Sequence, residues 1–476
     1  MRHLVVVLPG IGGSVLERPA SSGRSKKEWD AGVGGIAGLL WDPGRLSVDE
    51  AEYLRPIGLI SSKRLLPGWT VVHGYDGIVE GITAGLPGVR VDRGHPDERD
   101  LNADVVLFPY DFRRSITEAA ERLAAEVHDR LAGLTEAERA GRVVVVAHSM
   151  GGLVARYWLG VLGGWRVCRA LVTLGTPHRG APKALDWLVN GVRIGGVPVP
   201  GAAKLIRGWP SVAELLPRYP MVRDDTPGAA GQRILYPHDL PIGWLRTAAG
   251  DAFGVHQEIE AAWGEIPRSG PEVVARFGWT HPTLSAGYWD GTRLRVTKQQ
   301  PGWLSPDGWE QDFGDGTVPA VSALPIEDSG RDTTGMRVRE RHGPLAAAGW
   351  VAEMVAAYQL RVSIAGVRGE ERPAAIGLDL EEMQEPGSPV AVRAAFHGLD
   401  DEAAGQCVNT PVWVSVHPDG GGAAEHLRLV WDGAAGCFTG ELPGRDPGLY
   451  TVKVSARDVP GGGDLSAVET LAVIGL

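Results

Sequence analysis

Val143-Val144-Val145-Val146-Ala147-His148-Ser149-Met150-Gly151-Gly152-Leu153-Val154-Ala155-Arg156 runs from four consecutive valines through a five-residue turn straight into a helical pattern. A continuous β-branched run of this length reads as a strand buried on both faces, which is what a parallel sheet covered by helices requires. The turn matches the small-x-Ser-x-small pattern of a nucleophile elbow, in which a sharp strand-to-helix corner exposes a serine hydroxyl at the carboxyl edge of the sheet. Strand and helix approach closely at such a corner, so the flanking positions must be small. Ala147 stands where glycine is usual, and Gly151 and Gly152 satisfy the other side.

The chain around this corner keeps the same rhythm. Val5-Val6-Val7-Leu8, Val105-Val106-Leu107-Phe108 and Ala170-Leu171-Val172-Thr173-Leu174 are further apolar runs. Ser115-Ile116-Thr117-Glu118 has the form of a capping box and opens an amphipathic stretch to about Leu131. Strands alternating with helices imply right-handed crossovers and a doubly wound α/β domain over residues 1–365. Residues 180–280, rich in Pro, Gly and Trp, break the rhythm and read as an inserted cap, with helical fragments at Ala184–Val189 and Ser211–Leu216. A second insertion is expected over about 17–75.

Residues 366–388 are polar and read as a linker. Beyond them Val390, Val392 and Ala394, then Val412, Val414 and Val416, then Tyr450, Val452 and Val454 alternate with polar residues. Period-two segments between turn clusters predict an antiparallel β-sandwich over 389–476, similar to bacterial immunoglobulin-like modules. With its own alternating faces, the sandwich is expected to be dispensable for the chemical step, so that a chain ending near Gly366 keeps its activity.

Two further segments complete a chemical constellation with Ser149. Phe313-Gly314-Asp315-Gly316-Thr317 places a carboxylate in a glycine turn, with Asp315 preferred over the neighbouring Asp312. His342, in a loop before the helical stretch Leu345–Leu360, lies where a general base is needed; His281 and His397 are the alternatives. The order Ser149, Asp315, His342 is that of α/β-hydrolases and not of chymotrypsin- or subtilisin-type proteases. A tetrahedral intermediate also needs backbone N–H donors. Met150 supplies one at the helix start, and Ile11, in the glycine-rich loop after the first strand, is the expected second. That loop lacks the downstream acidic residue of a dinucleotide site. No metal or other cofactor is implied, because acyl transfer through serine needs none.

The chain has 476 residues and a formal net charge of −11. Its acidity argues against general affinity for nucleic acid or an anionic membrane surface. Forty of the 47 basic residues are Arg, and 67 Gly and 34 Pro discount any single glycine-rich stretch as a signal. Three cysteines, Cys168, Cys407 and Cys437, do not make a disulfide framework, and free thiols are the expectation. Read as it stands, Met1-Arg2-His3 leads directly into the first strand, so a cytoplasmic location is expected.

Taken together, Leu8-Pro9-Gly10-Ile11-Gly12-Gly13-Ser14, Phe108-Pro109-Tyr110-Asp111-Phe112-Arg113, His148-Ser149-Met150-Gly151-Gly152, Leu174-Gly175-Thr176-Pro177-His178-Arg179-Gly180 and Gly314-Asp315-Gly316-Thr317-Val318-Pro319 resemble the lecithin:cholesterol acyltransferase family. That family includes phospholipid:diacylglycerol acyltransferases and lysosomal phospholipase A. The resemblance spans about residues 3–360. It implies a Ser149–Asp315–His342 triad, oxyanion donors at Ile11 and Met150, and substrate-binding roles for Gly12, Tyr110, Phe112 and His148. Phe112 stands where the family usually has Trp, and the disulfide-bounded lid of the animal members is missing. The implied activity is lipid acyl hydrolysis or O-acyl transfer on phospholipid or glycerolipid esters. The alternatives are a soluble-ester esterase or thioesterase, or a non-catalytic effector on a hydrolase scaffold. Peripheral membrane contact through cap residues such as Trp187, Leu188, Trp209, Trp244 and Leu245, and a protein partner for the sandwich, complete the expectations.

Overall fold

The computed structural model describes residues 2–20, 25–30, 43–48, 53–61, 74–86, 88–194, 197–228, 233–304, 313–329, 333, 335–360, 374–418 and 423–475. Asp312 and much of the 17–75 insertion lie outside them. Seven parallel strands form the central sheet, in the order Arg337–Val338, Glu272–Gly278, Cys168–Leu174, Val143–His148, Leu4–Leu8, Val105–Leu107, Val91–Asp92. Every residue of Leu4–Leu8 and Val143–His148 is buried. Burial of odd and even positions alike means that both sheet faces are covered, which is why these runs are uniformly apolar.

Helices supply the cover. Ile116–Leu131, capped by the Ser115 side chain accepting from the Glu118 N–H, packs on the elbow helix Gly151–Gly160. Gly151–Gly160 also packs on the 22-residue helix Gly243–Gly264. Asp76–Gly85 and Gly349–Leu360 form a separate pair. Among the described residues no helix is long and apolar enough to cross a membrane.

The inserted region is smaller than the sequence suggests. Helix Gly243–Gly264 and strand Glu272–Gly278 form a crossover and a strand of the central sheet, with Val274 registered against Val172. Pro and Gly density hid them, because the helix carries polar residues around most of its circumference. What protrudes is built from helices Pro182–Asn190, Ala202–Arg207 and Pro210–Glu214. A four-stranded sheet joins them, pairing Val222–Asp224 with Arg233–Leu235 and with the hairpin Ala286–Trp289/Leu294–Thr297. The described part of the other insertion is a three-stranded sheet of Ser14–Arg18, Lys26–Trp29 and Arg55–Leu59.

The C-terminal residues form a curled, mainly antiparallel eight-stranded sheet around its own core, in which Val392, Val414, Val452 and Val454 are fully buried. Strand Ala375–Leu380 lies within the stretch expected to be linker and pairs with Val390–His397. Its polar flanks masked an alternating strand. Met383, Leu449, Ala472 and Ile474 join the core of the α/β portion, so the sheet packs on that portion as well as on itself. All three cysteines are free.

Candidate active site

The first strand, Leu4–Leu8, pairs with Val105–Leu107 on one side and Val143–His148 on the other, so the winding direction of the chain reverses beside it. The carboxyl ends of strands at such a reversal leave a crevice, the usual place for a ligand in an open α/β sheet. The loop Pro9–Ile11 and Ser149 emerge there side by side. A Cβ added to Gly10 would lie 2.8 Å from the Ser149 Cβ and 3.3 Å from its Oγ.

Ser149 adopts φ 52°, in the left-handed region that non-glycine residues avoid, at a cost of about 1–2 kcal/mol. The turn is held by the Ser149 N–H donating to Leu174 O at 2.9 Å and the Gly152 N–H donating to Ser149 O at 3.0 Å. A side chain at Gly152 would collide with Thr176, which is the close approach that the small residues permit. Among the described residues, neither the Ile11 nor the Met150 N–H donates to a protein acceptor. Both expected oxyanion donors are therefore uncommitted.

His342 and Asp315 come together from segments 27 residues apart. His342 Nδ1 lies 2.6 Å from Asp315 Oδ2, and both side chains are buried. Asp315 Oδ1 accepts the N–H groups of Thr317 and Val318 at 2.9 and 2.7 Å, and the Asp315 carbonyl accepts the His342 N–H at 2.9 Å. A carboxylate with three donors is held in one orientation. Because it can only accept, Nδ1 carries the imidazole proton, and Nε2 is the basic nitrogen. Nε2 is buried without a hydrogen-bond partner among the described residues. Gly175, at φ +58°, abuts the pair: a Cβ there would sit 2.7 Å from Asp315 Oδ2 and 3.0 Å from His342 Nδ1. The alternative bases are occupied. His281 accepts the Leu378 N–H at Nδ1 and bonds Arg339 O through Nε2, and the His397 ring packs against Trp279 and Phe313.

Ser149 opens onto a narrow, mostly apolar cleft lined also by Ile11, Pro177, Trp187, Val212, Leu215 and Val318. A larger, more polar cavity lies among Asp186, Arg193, Tyr288 and Arg295, on the protruding sheet and away from this chemistry. Four residues expected to bind substrate do not line the Ser149 cavity, and each supports its walls instead. Tyr110 donates its O–H to Pro9 O at 2.7 Å, and Gly12 O accepts from the Trp29 indole at 2.9 Å. Phe112, wholly buried, packs between Trp29 and Trp209.

His148 is the fourth. Its Nδ1 is 3.2 Å from the Tyr75 hydroxyl, which accepts the Gly10 N–H at 2.8 Å, and its Nε2 is 3.0 Å from His342 O. Tyr75 donating to Nδ1 and Nε2–H donating to the His342 carbonyl satisfies every partner. The result is a hydrogen-bonded tie from the Gly10 loop to the histidine loop. Burial keeps His148 neutral, its pKa well below the ordinary value. Tyr75 carries no motif, and nothing in the sequence points to it.

Of the residues expected in the cap, Trp187 reaches the cavity, whereas Leu188, Trp209 and Leu245 are buried core residues. Trp244 is 39% exposed, with the Arg207 guanidinium over its ring. The apolar cap surface is thus mostly the cap's own interior.

Burial also lowers the pKa values of His178 and His281 well below normal and that of His256 to about 4. The unfolded chain then binds protons from about pH 6.5 downward while these residues and His148 stay neutral in the native state. Stability is expected to fall as pH drops from about 6.5 toward 4, by up to about 1.4 kcal/mol per pH unit for each such histidine. Glu214, raised to about 7 by burial, opposes this, because the native state takes up its proton first. Asp186 and Glu469, also raised by burial, act with Glu214. The six lowered histidines, His3 and His397 included, outnumber these three carboxyls and leave the net sign as acid destabilisation. Melting temperatures from pH 7.5 to 4.5 check it, and a flat curve would be inconsistent with neutral buried histidines.

An all-parallel sheet with a serine elbow at its reversal point, and a His–Asp pair at the neighbouring strand ends, defines an α/β-hydrolase. Residues 99–235 match the family model of lecithin:cholesterol acyltransferase, and over that stretch the chain is similar to this family. A chain of the solved Tle4–Tli4 complex is 16% identical with a TM-score of 0.50, covering 75% of this chain and 98% of that one. That likeness is one of fold. The propeptide form of the Bacillus licheniformis lipase BlEst2 is 11% identical with a TM-score of 0.33, covering 98% and 93% of the two chains. No curated protein matches this sequence.

Proposed function

We propose that the protein is a serine-dependent lipid acyl hydrolase or O-acyltransferase. The observation that carries the reading is the Asp315–His342 pair, with Nε2 left free at the end of the sheet where Ser149 enters an apolar cavity. Ser149 Oγ attacks the ester carbonyl while His342 Nε2 takes its proton. Asp315 stabilises the imidazolium that forms, and the N–H groups of Ile11 and Met150 receive the developing oxyanion. His342 then protonates the departing alcohol, leaving an acyl-Ser149 ester. Water or a lipid alcohol, deprotonated by the same nitrogen, accepts the acyl group.

The lipid half of the proposal rests on the family match and on the cavity wall. Trp187, Val212, Leu215 and Val318 suit an acyl chain, and Lys183, the one cation among the lining residues, is 3.4 Å from Glu382. We read the C-terminal sheet, in the same spirit, as an immunoglobulin-like module.

A fluorophosphonate probe tests the chemistry directly. The purified protein is expected to gain one covalent adduct, mapped by mass spectrometry to the peptide containing Ser149. It is also expected to hydrolyse p-nitrophenyl esters of medium and long acyl chains faster than the acetate. An unlabelled protein would remove the serine mechanism, and a preference for acetate would remove the lipid substrate.

A further inference from the structure

Resting on the reading of His342 as the base, we infer that the C-terminal sheet takes part in catalysis, with Arg341 the positioning residue through which it holds the His342 loop. Arg341 immediately precedes the base and is 4% exposed. Among the described residues its guanidinium has three polar partners, all beyond residue 373. Nε donates to Glu469 on strand Gly463–Val473, Nη1 to the Leu378 carbonyl on strand Ala375–Leu380, and Nη2 lies 3.4 Å from Glu382. A guanidinium fork filled by three acceptors fixes direction as well as distance, which one point charge would not do.

The loop is therefore hung from two sides. Toward the α/β portion, the His342 N–H and Nδ1 are both bound to Asp315. Toward the C-terminal sheet, Arg341 is seated as above. His281 adds a second tie, accepting the Leu378 N–H at 3.1 Å and bonding the Arg339 carbonyl at 3.1 Å. Glu382 also holds Lys183, whose side chain lines the Ser149 cavity. One carboxylate from the C-terminal segment thus touches both the loop of the base and the cavity wall. These contacts argue against the expectation that this module is dispensable.

Triad catalysis is sensitive to the placement of the base, and a shift of about 1 Å can cost about 10²-fold in rate. In the full-length protein, Glu469→Gln keeps the size of the side chain and removes its charge. It is expected to lower kcat on a short p-nitrophenyl ester by roughly 10- to 100-fold, with KM little changed and the protein still folded at the assay temperature. Glu469→Asp should recover part of the loss. Arg428→Ala, on the exposed outer surface of the same sheet, should behave as wild type. Arg341→Lys keeps the charge without the fork and gives the same comparison should Glu469→Gln not fold. His342→Ala is measured alongside. An inactive His342→Ala with wild-type kcat in both Glu469→Gln and Arg341→Lys overturns the inference. A fully active His342→Ala overturns the assignment of the base on which it rests.

Discussion

Ser149→Ala is expected to abolish fluorophosphonate labelling and to lower ester turnover by about 10⁴-fold or more, without loss of the fold. Triad members act as a unit, so removing the nucleophile forfeits nearly all of the acceleration that depends on the other two. The residue left is the contribution of the oxyanion donors and of binding, which the uncommitted N–H groups of Ile11 and Met150 can still make. The substitution removes only an oxygen, and the turn is held by the backbone bonds of Ser149 and Gly152, so the melting temperature should change little. Ala at φ 52° is no more strained than Ser. Initial rates and intact mass check the result. Labelling that persists in Ser149→Ala would move the nucleophile elsewhere.

Asp315→Asn should lower kcat by about 10⁴-fold with a smaller effect on KM. Oδ1 accepts two backbone N–H groups and Oδ2 faces His342 Nδ1. An amide can present its oxygen to the two backbone donors, but its NH₂ then faces Nδ1. That arrangement favours the tautomer with the proton on Nε2, where a base cannot use it. The carboxylate that stabilises the imidazolium is lost as well. The loop should stay folded, because the Asp315 carbonyl still accepts the His342 N–H. A variant within tenfold of wild-type kcat would show that another group orients His342. Asp315 would then be a structural turn residue.

Much of this was legible in the chain before any coordinates. Four valines followed by Ala147-His148-Ser149-Met150-Gly151-Gly152 can hardly be anything but a buried strand turning sharply into a helix, because each constraint is local. Burial on both faces demands continuous apolarity, the corner demands small residues, and both are written within 14 positions. Asp315 and His342 have weaker local signals, and they were assigned by their order along the chain after Ser149, with His281 and His397 as alternatives for the base. The helix Gly243–Gly264 and strand Glu272–Gly278 were not legible, because a partly exposed helix in a Pro- and Gly-rich stretch has weak periodicity.

By itself, then, the sequence determined the α/β class, the elbow and the turns proposed to carry the chemistry, all read from short windows. Only the tertiary structure decided what touches them. Tyr75 ties Gly10 to His148, and Glu469 seats Arg341 from 128 residues away. His148 joins Tyr75 to the carbonyl of His342. The physical reason is that a buried polar side chain is defined by its partners, which must satisfy it in a medium without water. Those partners are chosen by the packing of whole layers, and no local pattern of residues records that choice.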